Sequence, residues 1–486
     1  MASADAPASD ALYLALDQGG HASRALVFDA RGRPRARGLR EVAVTRPGED
    51  RVEQDPEELV DSLRAAIADA YAGLGADARR VRAAGLATQR SSIVCWDSRD
   101  GRALSPVLSW QDRRAHAWIE RFAPHGDDIH RRTGLYPNAH YGASKLRWCL
   151  DHLPAVRAAA AAGDLAFGPL ASFLVQRLLD ERPLLADPAN AARTLLWNLG
   201  TRDWDAALLA LFDIPRAALP RCVPTRHAYG TLATPAGGLP LQLLTGDQSA
   251  ALFANGTPRA DVAYINIGTG AFVQRITGAV PRQAPRLLTG IVFQDGESAV
   301  HVLEGTVNGA GSALAWWRER RGIGDIEARL PGWLDQEHDP PLFLNGVSGL
   351  GSPFWRAQFT PRFVGAAPSP AGEAAAIVES VVFLLQANLE AMAAALDRPS
   401  RLQAGGGLAQ LDGLCQRLAD LSGLAVHRPA EQEATARGTA FLVAGQPADW
   451  PALAPGRDFR PRANPALRER CARWRQALDT ALSSGD

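Results

Sequence analysis

The sequence predicts an α/β protein of two related domains facing one another across a cleft, and two observations carry that expectation. A hairpin pattern occurs twice, as "YLALDQGGHASRALVFD" (13–29) and "AYINIGTGAFVQRIT" (263–277). Each copy is an apolar strand, a glycine-containing turn and a second apolar strand. Further apolar segments follow each copy, and then alternating helix and strand patterns, so the repeated unit is mixed α/β. A chain of 486 residues is long enough for two or three domains, each with its own core. Two unrelated hairpins in an ordinary α/β protein are the alternative that pattern alone leaves open.

The elements follow in order. The first strand ends at Asp17, and "LREVAVT" continues the sheet. "EQDPEELVDSLRAAIADAYAGLG" reads as a helix with Asp55 at the N-cap, Pro56 at N1 and Glu58 at N3. "VRAAGLATQ" is a buried strand and "ASKLRWCLDHL" a helix. In "LQLLTGDQSAALF", Asp247 closes an apolar strand and opens a helix. "LLTGIVFQ" and "AVHVLEGTV" extend the second half. "AAAIVESVVFLLQANLEAMAAAL" is apolar nearly all round, which places it between domains or deep in one.

Composition narrows the partners. Apolar residues make up 47% and charged residues 21%, and the formal net charge is zero. This gives no reason to expect nucleic acid or an anionic membrane as a partner. The start, "MASADAPASD", lacks a basic and an apolar signal region, and no apolar run reaches membrane length. A cytoplasmic protein is expected. The cysteines Cys95, Cys149, Cys222, Cys415 and Cys471 are too scattered for a disulfide framework or zinc spacing. Lys145 is the only lysine; the other 51 of the 52 basic residues are arginine. It fits neither a Walker A loop nor a protein-kinase strand lysine, so any nucleotide is held by another architecture. The arginine bias itself reads as genomic base composition.

Ten segments then occur in a telling order: "LALDQG…SRALVFD", "GLATQR", "SWQDRRA", "TGLYPNAHYGASKLRW", "NAARTLLWNLGTRDWD", "TGDQSAALF", "NIGTGAF", "LEGTVNGAGSALAWW", "GLGSPFW" and "AGGGLAQ". Together, from about residue 12 to residue 445, the chain resembles the FGGY carbohydrate kinases, glycerol kinases most closely. The resemblance implies an actin/hexokinase-like (ribonuclease H-like) duplicated fold with a central cleft. ATP and Mg²⁺ would lie on the cleft floor, with a polyol or ketose beside the γ-phosphate. It further implies a disordered segment 1–10, an N-terminal kinase domain over 11–254 and a nucleotide domain over 255–446. A helical extension over 447–486 would follow, and the family's habit suggests a homodimer or homotetramer.

The resemblance also assigns roles. Asp247 would be the general base and Asp17 the metal carboxylate; alone, each reads as a turn former or helix cap. Phosphate and nucleotide contacts would come from Gly19, Gly20, His21, Ser23 and Arg24 in the first hairpin, and from Gly268, Thr269 and Gly270 in the second. Gly311, Gly406 and Gly407 would complete them; Ala404 and Arg356 stand where the family has aspartates. Arg90, Ser91, Trp110, His140, Asp247, Gln248 and Phe272 would form the acceptor pocket, although Trp110 and Phe272 alone could be core residues.

The departures from the pattern are informative. Ser91 replaces a glutamate and His140 a tyrosine, which removes a charged hydrogen-bond acceptor worth about 1.5–3 kcal/mol. That gap suits a larger polyol or sugar bringing its own hydroxyl, so the resemblance leaves both glycerol and another acceptor open. Gly20, His21 and Ala22 replace three hydroxyl residues of the phosphate hairpin. The alternative function is a weakened or inactive paralogue that binds nucleotide or sugar as a sensor or partner protein. "LATPAGGLPLQLL" carries no basic residue, so no sugar-bisphosphate regulation is expected.

Overall fold

The computed structural model describes residues 10–337, 339–365, 369–431 and 433–484; the expectation for residues 1–9 lies outside these. The first half begins with β1 (Leu12–Gln18), β2 (Ala22–Asp29) and β3 (Pro34–Glu41), an antiparallel meander. Helix α1 (Pro56–Leu74) follows, capped by the Asp55 carboxylate, which accepts from the N–H groups of Glu57 and Glu58. Strand β4 (Val81–Thr88) then pairs parallel to β1. A long excursion includes α2 (Gly142–His152) before β5 (Arg226–Thr234), β6 (Gly237–Gly246) and the short α3 (Asp247–Ala251). β6 runs parallel to β4.

The second half repeats the plan. β7 (Val262–Ile267) and β8 (Ala271–Gly278) form the second hairpin, followed by β9 (Leu288–Asp295), β10 (Ser298–Val307) and α4 (Gly311–Arg321). Helix α5 (Pro370–Met392) precedes β11 (Arg401–Gly405), β12 (Val426–Arg428), α6 (Ala434–Val443), β13 (Arg457–Phe459) and α7 (Pro465–Ser483). One 13-stranded sheet runs β13-β12-β11-β7-β8-β10-β9-β5-β6-β4-β1-β2-β3. Within it, β3-β2-β1-β4-β6 and β10-β8-β7-β11-β12 have the same order and the same pairing senses. The duplication seen in the hairpins therefore extends to five strands on each side.

The halves meet where β5 pairs with β9 through Arg226 and Asp295. Helix α5 lies deep in the second half, its Ile377, Val378, Val381 and Leu385 fully buried in that core. This is why its apolar residues go all round. Helix α6 crosses back to pack on β1, β4 and α3. The crossing is close: a Cβ at Gly438 would lie 1.8 Å from the Ala250 carbonyl oxygen, so only glycine permits it.

Candidate active site

β1, β4 and β6 are parallel neighbours, so their C-terminal ends converge on one edge of the sheet. That edge is where parallel α/β sheets present functional groups. Asp17 lies at the end of β1, Gln89 and Arg90 follow β4, and Asp247 follows β6. A cleft of ≈ 540 Å³ opens there, lined from the first half by Asp17, Arg24 and Gln248, and from the second by Asn266, Gly406 and Gly407.

In the first hairpin Asp17 is the cross-strand partner of Arg24, whose guanidinium donates to its carboxylate at 3.3 Å. Burial pushes the Asp17 carboxyl up to about 7, offset by Arg24 and reinforced by Asp247 and Glu433. The Gly19 N–H closes the turn on the Ala22 carbonyl at 2.9 Å. Among the described residues, nothing accepts from the N–H groups of Gly20 or His21. Neither Gly19 nor Gly20 has a left-handed backbone, so the turn does not require glycine. His21 is exposed. The Ser23 hydroxyl instead faces the Ser62 hydroxyl of α1 at 2.8 Å and is fully buried.

The second hairpin places Asn266 opposite Phe272, the counterparts of Asp17 and Arg24. Its turn, Gly268-Thr269-Gly270, is tied to the start of α4. Thr269 O accepts from the N–H groups of Ala310 and Ser312, and Gly268 O from Gly311. The Gly311 N–H is thus committed to the turn, and a Cβ at Gly311 would lie 2.8 Å from Gly268 O. Gly406 has φ 92° and packs on Asn266 and Ile267, whereas Gly407 is open on the cleft.

Beyond the ends of β4 and β6 lies an ionic cluster. Arg90 donates to the Gln248 side-chain carbonyl and lies 3.7 Å from Glu304. Glu304, on β10 in the second half, also accepts from Arg193 at 2.8 Å and from Gln274 at 2.7 Å. Gly246 is needed here, because a Cβ would approach the Arg90 stem at 2.5 Å. Burial raises the Asp247 pKa, with Arg90, the Gln248 N–H and Arg193 opposing. Asp247 accepts from the Gln248 N–H at 2.6 Å.

Ser91 has a left-handed backbone at φ 65° and a buried hydroxyl with no partner among the described residues. Trp110 and His140 meet edge to face with ring centroids 5.9 Å apart. His140 is held neutral by burial, with Arg113, Lys145, Arg193 and Arg90 adding to the effect. The Trp110 main-chain N–H donates to the Ser92 hydroxyl at 3.0 Å. Arg193, Glu304 and Lys145 belong to this site but carried no sequence-level role. "NAARTLLW" and "LEGTV" hold the first two and are separated by over 100 residues. Pairing across that distance leaves no local signal.

Family models of the FGGY carbohydrate kinases match this chain twice, the N-terminal domain over residues 12–254 and the C-terminal domain over residues 263–445. The glycerol kinase of Aromatoleum aromaticum is 35% identical over 96% of this chain and 98% of its own. That of Trichlorobacter lovleyi is 37% identical over 88% and 89%. Among solved structures, Plasmodium falciparum glycerol kinase with ADP superposes with TM-score 0.87 at 20% identity, covering 97% of this chain and 98% of that one. Xylulose kinase from Rhodospirillum rubrum superposes with TM-score 0.84 at 21% identity, covering 97% and 98%. The actin/hexokinase-like fold is therefore shared across kinases of different acceptors.

Proposed function

The chain belongs to the FGGY family of carbohydrate kinases, and from that premise we propose that it transfers the γ-phosphoryl group of ATP to a hydroxyl of a polyol or sugar. One observation carries the reading: Asp17, Arg90 and Asp247 stand at or just beyond the same ends of three adjacent parallel strands, where Asp17 and Gln248, the neighbour of Asp247, line the cleft. Asp247 is the general base, accepting the proton of the hydroxyl whose oxygen attacks phosphorus. Arg90 and Gln248 orient the acceptor's oxygens, and Trp110 and Phe272 wall its C–H face. The free N–H groups of Gly20 and His21, with Arg24 and Thr269, face the phosphates. Gly406 and Gly407 leave room for the nucleoside.

Asp17 fits a divalent cation. Its buried carboxylate sits near Asp247 and Glu433 with Arg24 alone opposing them. Among the described residues no group of three or more His, Cys, Asp or Glu could hold a metal. A cation at Asp17 would therefore draw its other ligands from phosphate and water. When bound, Mg²⁺ neutralises charge on the phosphates.

The acceptor is larger than glycerol in this reading. Ser91, shorter than the glutamate it replaces, leaves a buried hydroxyl with no partner among the described residues. No feature of the site favours an inactive paralogue. The residue boundaries 11–254 and 255–446 for the two domains, a cytoplasmic location and a homodimer or homotetramer complete the proposal; the segment expected as a helical extension over 447–486 is helical at α7 (Pro465–Ser483), whereas Arg457–Phe459 add β13 to the main sheet. Release of ADP from Mg-ATP across glycerol, erythritol, pentitols, ketopentoses and gluconate tests it, with Asp247→Asn as the control. No acceptor-dependent ADP release above the control's level would sink the kinase reading. A highest kcat/KM for glycerol would sink the larger acceptor.

A further inference from the structure

In a chain that uses arginine at every other basic position, lysine survives at one site. That site, Lys145 on α2, is completely buried. Its amine donates to two main-chain carbonyls, Ser91 O at 3.0 Å and His140 O at 2.8 Å. Among the described residues it forms no ion pair; the nearby Asp112 is engaged with Arg114 at 2.7 Å. A compact amine on a four-carbon stem can reach both carbonyls at once. A guanidinium is planar, larger and carries five donors, which two carbonyls cannot satisfy. That difference accounts for a lysine in an otherwise lysine-free chain.

Both carbonyls belong to the acceptor wall. Ser91 closes the turn that carries Arg90, and its left-handed backbone is one that a residue with a Cβ adopts only when its surroundings impose it. His140 lies on the loop facing Trp110, and its N–H is fixed by the Asn138 side chain at 2.8 Å. We propose that Lys145 is a positioning residue for acceptor recognition. Its amine clamps the turn bearing Arg90 and Ser91 to the loop bearing His140, and so sets the width of the acceptor pocket. This rests on the acceptor pocket assigned above.

The single lysine makes the test direct. In the full chain labelled with ¹³C,¹⁵N-lysine, one Cε–Nζ signal reports this site alone. Saturation with the acceptor giving the highest kcat/KM is expected to move that signal with a midpoint matching its binding, while Mg-ADP alone leaves it in place. An unmoved signal at acceptor saturation overturns the inference. Kinetically, Lys145→Met and Lys145→Arg are both expected to raise the acceptor KM at least about tenfold, with the ATP KM within about twofold. Folded variants that keep the parent's acceptor KM overturn the inference while leaving the kinase reading intact. If they do not fold, the NMR titration decides. Should no acceptor stimulate the parent above Asp247→Asn, the pocket reading falls first and takes this inference with it.

Discussion

Replacing Gly20 by threonine should make the enzyme faster. A Cβ at this position meets only Trp110 Nε1, at 4.0 Å, and the backbone is not left-handed, so threonine fits without strain. The new hydroxyl would stand beside the unpartnered N–H groups of Gly20 and His21, where the phosphates are proposed to lie. One hydrogen bond to a charged group contributes about 1.5–3 kcal/mol, which corresponds to about a 10- to 100-fold gain in kcat/KM for ATP. Gly20→Val has the same branching without the hydroxyl and isolates its effect. The assay is ADP release at saturating acceptor and varied Mg-ATP. A Gly20→Thr enzyme no faster than the parent would refute the reasoning, as would an equal gain in Gly20→Val.

Asp247→Asn should lower kcat by about 10²–10⁴-fold, the usual contribution of a positioned base, with the ATP affinity measured by equilibrium binding unchanged. Since burial raises the Asp247 pKa above 3.8, the carboxylate form is lost at a higher pH than for an exposed aspartate. The acid limb of kcat/KM for the acceptor should therefore lie above the ordinary carboxylate range, and a limb near pH 4 would contradict the assignment. Arg193→Met leaves buried Glu304 with the neutral Gln274 amide at 2.7 Å and, among the described residues, Arg90 at 3.7 Å as its remaining cation. Urea unfolding should show a loss of about 3–5 kcal/mol, and adding Glu304→Gln should recover much of it.

Much of the site was legible in the sequence because its residues sit at strand ends and turns, where local composition is informative. Asp17 and Asp247 each close an apolar strand, and the repeated hairpin announced two related halves. The helix at Pro56–Leu74 was legible from its cap and its first-turn proline. Helix α5 was legible as buried, but its place in the second-half core was not. An all-apolar helix shows that it is covered without showing by what.

Other features were settled only by the fold. The Ser23 hydroxyl turns to Ser62 because the β2–α1 packing claims it. The Gly311 N–H is taken by the turn at Gly268 rather than left open. Arg193 and Glu304 meet across the two halves at 2.8 Å, over a separation that no local pattern spans. By itself, the sequence determined the family, the duplicated hairpins, the strand-end positions of Asp17 and Asp247 and the solitary lysine, all properties of residue type and short-range order. Which groups are free, which are paired, and that Lys145 faces two carbonyls rather than a phosphate were decided only in the tertiary structure. The physical reason is that burial and hydrogen-bond partnership are set by distant segments brought into contact.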